Sequence, residues 1–322
     1  MKEESNISQD ELKKRVKKIV ILLIIVIPLI IGFCSRNPKG VSVRSEYYDV
    51  SNLEFIYDLS YMKDGKVVRE HNILNEELKL INEANDYIII DMFLFNDEYN
   101  RDKLDMPNVV EQVTNSLIKK KTELPDIQIY FITDPINNFY GAYEQKYITK
   151  LKDAKINVII TNLNKLKDSN PIYSGYYRTY IKWFGTSHLT YISNPFDKTS
   201  SKINIRSILK MANFKGNHRK VIITEKGAVI ASANAQDASG YHSNIAFKFS
   251  SNVINDIIES EETVINFSKG NFEKPEYFDN GKPIENTKIA LITEKEIYKS
   301  ISENINKTKA DDNILIRSIL FM

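Results

Sequence analysis

Residues 87–95 read YIIIDMFLF, nine positions with a single charge. A strand that is apolar at every position, rather than at alternate ones, must be covered on both faces. The same demand comes from 127–133 (IQIYFIT), 156–161 (INVIIT) and 220–224 (KVIIT). Between and after these runs the pattern changes to helical spacing at 75–84, 108–121, 142–153 and 253–268. Continuous apolar strands separated by helices specify an α/β fold, with helices sandwiching a mixed β-sheet. Strands at 228–234 and 245–249 complete the set, the first following 220–224 through the tight turn Glu225-Lys226-Gly227. Residues 162–200 are polar and aromatic, and read as a long loop covering a site, because loops of that length are usually functional.

The N-terminus obeys a different rule. Residues 19–34 (IVILLIIVIPLIIGFC) hold sixteen positions without a charge. They follow Lys13, Lys14, Arg15, Lys17 and Lys18, whereas only Arg36 and Lys39 come soon after. The run is longer than a signal-peptide core and a little shorter than a typical span of about 20 residues, which the flanking lysines extend by snorkelling. The positive-inside rule predicts a single-pass signal anchor in the cell membrane, with residues 1–18 as a basic cytoplasmic tail and the main domain outside the cytoplasm. A cleaved signal fits less well, since Gly32 and Cys34 match a cleavage site poorly; a lipid anchor at Cys34 would place Phe33 where a small residue is wanted. Residues 35–46 read as a linker.

Composition removes several classes of function. The chain carries 44 Lys and Arg against 42 Asp and Glu, a net charge of +2, so no strong field draws it to polyanions. With Cys34 the lone cysteine, a disulfide framework and Cys-based metal sites are excluded. His71, His188, His218 and His242 form no zinc-protease pair, and no Walker loop or Gly-x-Ser-x-Gly elbow is present. Neither a metal nor a cofactor is expected.

What remains is a pair of side chains. His218 and Lys220 stand at i and i+2 where a strand begins, so imidazole and ammonium project to one side. That suits a phosphate: a histidine near neutral pH can attack phosphorus or protonate a leaving oxygen, and a lysine offers a point charge to the transition state. Ser232 and Asn234, on the paired strand, add neutral donors.

In the segment His218-Arg-Lys220-Val-Ile-Ile-Thr-Glu225, followed by Ala231-Ser232-Ala233-Asn234, the sequence resembles the phospholipase D superfamily, whose motif is His-x-Lys-x4-Asp-x6-Gly-Ser-x-Asn. Asp134 in Ile-Thr-Asp-Pro and Asp168 in Asp-Ser-Asn-Pro add to the resemblance. It implies a phospholipase D-like α/β/α fold and phosphodiester cleavage or phosphatidyl transfer through a phosphohistidine, without metal. It assigns catalysis to His218, Lys220 and Glu225 and substrate-phosphate binding to Ser232 and Asn234, with Asp237, His242 and Asn244 as candidates for support behind them. There are departures. Glu225 replaces the family's Asp, Ala231 its Gly, and the second spacer is one residue short.

The family site also faces two such motifs across a pseudo-twofold, and this chain has one. Residues 84–95 (ANDYIIIDMFLF) and 310–321 (ADDNILIRSILF) agree at six of twelve positions, 226 residues apart. This divides the chain into a half-domain at 47–286 and the start of a truncated second half at 287–322. The partner histidine would fall near position 444, past the last residue. Three functions follow: a membrane-anchored enzyme acting on phospholipids; a nuclease-like homodimer in which two chains share one site; or a truncated, non-catalytic protein. The near-neutral charge and the anchor favour lipid over nucleic acid.

Overall fold

The computed structural model describes residues 8–98, 107–187 and 189–314. It opens with helix α1 (Gln9–Phe33), whose N-terminus is capped by the Ser8 side chain. By length and composition α1 is able to cross a membrane, and little of its apolar stretch is buried by the rest of the chain.

A seven-stranded mixed sheet forms the centre, ordered β2-β10-β9-β8-β5-β6-β7. Its members are β2 (Asn52–Asp58), β5 (Tyr87–Met92), β6 (Gln128–Thr133), β7 (Asn157–Ile160), β8 (Lys220–Thr224), β9 (Gly227–Ala231) and β10 (Asn244–Ser250). Strands β5, β6 and β7 run parallel, joined by helical crossovers, and the other neighbours are antiparallel. Every residue of β5 and β8 is buried, as continuous apolar runs require.

On one face, Ile88, Ile90 and Met92 pack under α2 (Asn72–Glu83), α3 (Val109–Glu123) and α4 (Lys146–Asp153). On the other, Ile89, Val221 and Ile223 pack under α7 (Val253–Phe267). The expected α/β sandwich is therefore present, with one apolar helix ahead of it.

The structure adds elements that sequence patterning missed. β1 (Tyr48–Asp49) pairs with β11 (Lys288–Ile289), and β3 (Ser60–Lys63) with β4 (Lys66–Arg69). The region 162–200 is not an element-free loop. It contains α5 (Pro171–Tyr176), then a π turn at Tyr177–Ile181 and a 3-10 turn at Lys182–Phe184, with α6 (Ile205–Met211) beyond. Helical spacing is hidden there because the run packs on α1 instead of on the sheet.

Residues 287–314 lie against the chain's own beginning. Ile292 bridges to Arg44, and Arg44 forms a two-armed ion pair with Glu303 on α8 (Lys295–Lys307). Of the repeat segment 310–321, positions 315–321 lie outside the described residues.

Candidate active site

Parallel strands end together, and β8 runs against them, so its first residue lies at their carboxyl edge. Lys220 pairs with Met92, the last residue of β5. Asp134 and Thr161 follow the ends of β6 and β7 on that same edge. The topology thus gathers polar groups from four strands where the first residues of β8 emerge, the usual position of ligand sites in open α/β sheets.

His218 and Lys220 meet as the i, i+2 spacing predicts. Lys220 Nζ lies 3.3 Å from His218 Nδ1 and donates to the His218 carbonyl at 3.0 Å. The His218 ring is exposed on one side and packs on Phe93 on the other, with centroids 4.5 Å apart. Partial desolvation, and then the Lys220 charge, lower the imidazole pKa. Burial pushes the Lys220 ammonium down to about 8, against the attraction of Asp91. Which nitrogen donates across this contact follows the imidazole tautomer and the charge of Lys220.

Beneath the pair is a buried polar layer. Asn217 donates its side-chain amide to Asp91 at 2.7 Å and to Thr161 at 3.2 Å, and its backbone N–H to Asp134 at 2.7 Å. Burial raises Asp134 to about 7 although it also accepts from Ile136 N. Asp91 lies fully buried; burial, then the nearby Glu261 carboxylate, raise its pKa well above the usual range. Glu261 on α7 pairs with Arg219 at 2.9 Å. These groups fix the backbone between Asn217 and Lys220, and so aim both functional side chains. Of this layer, only the Asp134-Pro135 dipeptide was visible in the sequence; Asp91 sits in an apolar strand and Glu261 among several acids on α7, patterns that give no sign of their partners.

The other predicted site residues are placed unevenly. Asn234 accepts from Leu94 N at 3.1 Å, just beyond β5, at the same sheet edge. Ser232 is spent on β10: it donates to Asn244 and accepts from Ile245 N, both at 3.0 Å. Strand β9 ends at Ala231, so Ser232 and Asn234 stand in the loop after it, not within the strand. Asp237 accepts from Val110 N at 3.0 Å, at the start of α3. His242 is exposed in a turn, and Asn244 ties that turn to the backbone of Ser239 and His242. Glu225 is not brought to the pair. It lies at the far end of β8 and accepts from the backbone N–H groups of Asn85 and Asp86 at 2.8 and 3.4 Å. The residue at this motif position holds the sheet's opposite edge, because four strand residues separate it from Lys220.

A cavity of about 670 Å³ on the α7 side of the sheet has His218, Arg219 and Lys220 in its lining. Beyond Arg219 and Glu261 its walls are largely apolar, formed by Ile230, Ile257, Leu291, Ile297 and Ile301. Among the described residues no cluster of His, Cys, Asp and Glu is suited to hold a metal ion.

No family model matches the chain, and no curated protein matches it. Solved structures similar to it include a phospholipase D family member, Nuc from Salmonella typhimurium, at 13% identity and TM-score 0.36, covering 70% of this chain and 99% of that one. NucT from Helicobacter pylori is 12% identical with TM-score 0.31, over 68% of this chain and 93% of NucT. Phosphatidylserine synthase from Haemophilus influenzae Rd KW20 is 8% identical with TM-score 0.36; 63% of this chain aligns with 34% of that one. What the site does is read from its own side chains.

Proposed function

We propose that the chain is a membrane-anchored phosphodiesterase or phosphatidyltransferase of phospholipase D type, acting on phospholipids. The observation that carries this is the His218–Lys220 pair at the carboxyl edge of the sheet, next to a cavity with largely apolar walls on the α7 side. A phosphodiester between a polar alcohol and a glycerolipid has the matching division. Its phosphate meets the imidazole and ammonium, and its apolar part lies along Ile257, Leu291 and Ile297.

In the proposed reaction Lys220 neutralises a non-bridging oxygen, and Asn234 donates beside it. His218 Nε2 forms a bond to phosphorus as the bond to the leaving alcohol breaks, giving a phosphohistidine. The departing alkoxide takes a proton from a second histidine, supplied by a second motif. Water or another alcohol then displaces His218. A second copy of the chain is one source of that motif. Helix α1 holds the site beside the lipid.

Full-length protein in detergent, resolved into monomer and dimer, tests this on a chromogenic phosphodiester. Turnover is expected from the dimer. Turnover by a proven monomer would overturn the shared site, and turnover by His218→Ala would overturn the mechanism.

A further inference from the structure

Pro28 lies inside α1 and has no N–H, so the carbonyl of Ile24, one turn earlier, loses its helical partner. The Tyr180 hydroxyl donates to that carbonyl at 2.9 Å. The neighbouring Ile25 carbonyl accepts from Tyr176 at 3.4 Å. Both tyrosines belong to the helical run 171–184, which crosses α1 at close range. A Cβ on Gly32 would stand 1.8 Å from the Pro171 carbonyl oxygen, and one on Gly175 2.0 Å from that of Pro28. The two backbones touch because each presents glycine to the other, a mode of packing common between helices in lipid.

Several polar side chains of the run are paired, although the buried Ser174 hydroxyl has no partner. Thr179 donates to the Gly175 carbonyl at 2.7 Å, and the Trp183 indole donates to the Thr179 carbonyl at 2.9 Å. Arg178 is consumed by Asp168 and by the carbonyls of Asn164 and Leu166. Yet Ile172, Trp183 and Phe184 are more than half exposed, at 56%, 73% and 68%. Lys182 lies 4.3 Å over the Trp183 ring, with a stem long enough to reach a headgroup.

We infer that residues 171–184 enter the bilayer beside α1, in the leaflet from which the folded domain emerges, with Trp183 and Phe184 against lipid acyl chains. The inference rests on the reading of α1 as a membrane span. The occupant of this apolar face is lipid because the face continues the apolar surface of α1. The contacts run from Gly32 back to Ile24, about 12 Å at 1.5 Å per residue, within a hydrocarbon core of about 30 Å. A helix inside that core carries its docked neighbour into the same layer. The base of the run leads to the site: Asp168 ion-pairs with both Arg178 and Lys215, three residues before His218. Insertion would therefore fix the height of the His218–Lys220 pair at the membrane surface.

Trp183 is the sole tryptophan, so its fluorescence reports on this run alone. The full chain is reconstituted in phosphatidylcholine–phosphatidylglycerol vesicles, and its retention after an alkaline wash is measured beside quenching. Retention with quenching by acyl-brominated lipid, and little quenching by aqueous iodide, supports the inference. Retention with quenching by iodide alone overturns it and leaves the anchor standing. Retention with protection from both quenchers overturns it in favour of cover by a second copy. Loss of the chain in the wash overturns anchor and inference together. Gly175→Leu, which blocks the approach to Pro28, should move Trp183 to the iodide-quenched class with retention unchanged; bromolipid quenching as in the parent would contradict docking on α1.

Discussion

The two ends of strand β8 differ in kind. At one end His218 and Lys220 contact each other and line a cavity, with pKa values lowered first by burial and with Asp91 acting on Lys220. At the other, Glu225 accepts two backbone N–H groups at the turn before β5 and sits 3.4 Å from Lys226. A group kept available for a ligand is left incompletely paired; a group that holds the fold is saturated. One linear motif thus spans an incompletely paired end and a saturated one.

The comparison breaks most readily by mutation. His218→Ala should lower phosphodiester turnover by about 10³-fold or more, since it removes the proposed nucleophile, with little change in melting temperature. Glu225→Ala should do the reverse, costing about 1–2 kcal/mol of stability while turnover by the folded fraction stays near that of the parent. Paired melting curves and rates decide between them. Equal loss of rate in both variants, with both folded, would erase the distinction.

A smaller effect sharpens the incompletely paired end. Lys220 binds an oxyanion only as an ammonium, and its pKa is pushed down to about 8 by burial. Tungstate affinity should therefore fall as pH rises through about 8. Lys220→Arg, which stays charged, should remove that limb. Titration calorimetry between pH 6 and 10 reads both; a limb unchanged in the arginine variant would assign the titration elsewhere.

Legibility in the sequence followed the same division. The apolar runs at 87–95, 127–133 and 220–224 announced the central strands because two-sided burial leaves no other composition. The His-x-Lys spacing announced its pair because strand geometry forces i and i+2 together. Asp91 and Glu261 were illegible: Asp91 is one acid in an apolar strand, Glu261 is one of several acids on α7, and their proximity depends on α7 crossing the sheet. The run 171–184 was read as loop because its glycine and tyrosines serve α1, and a single-sequence pattern does not name a partner nearly 150 residues away. Glu225 stands apart from the pair because motif spacing alone does not say which end of a strand each residue serves.

The most direct test is to quench the dimeric, membrane-reconstituted protein during turnover of a phospholipid and identify the modified residue by peptide mass spectrometry under alkaline conditions. The account predicts a phosphorus-linked adduct on the His218 imidazole, absent in His218→Ala and retained in Glu225→Ala. Turnover with the adduct on another residue, or with none on His218 at any quench time, would contradict it.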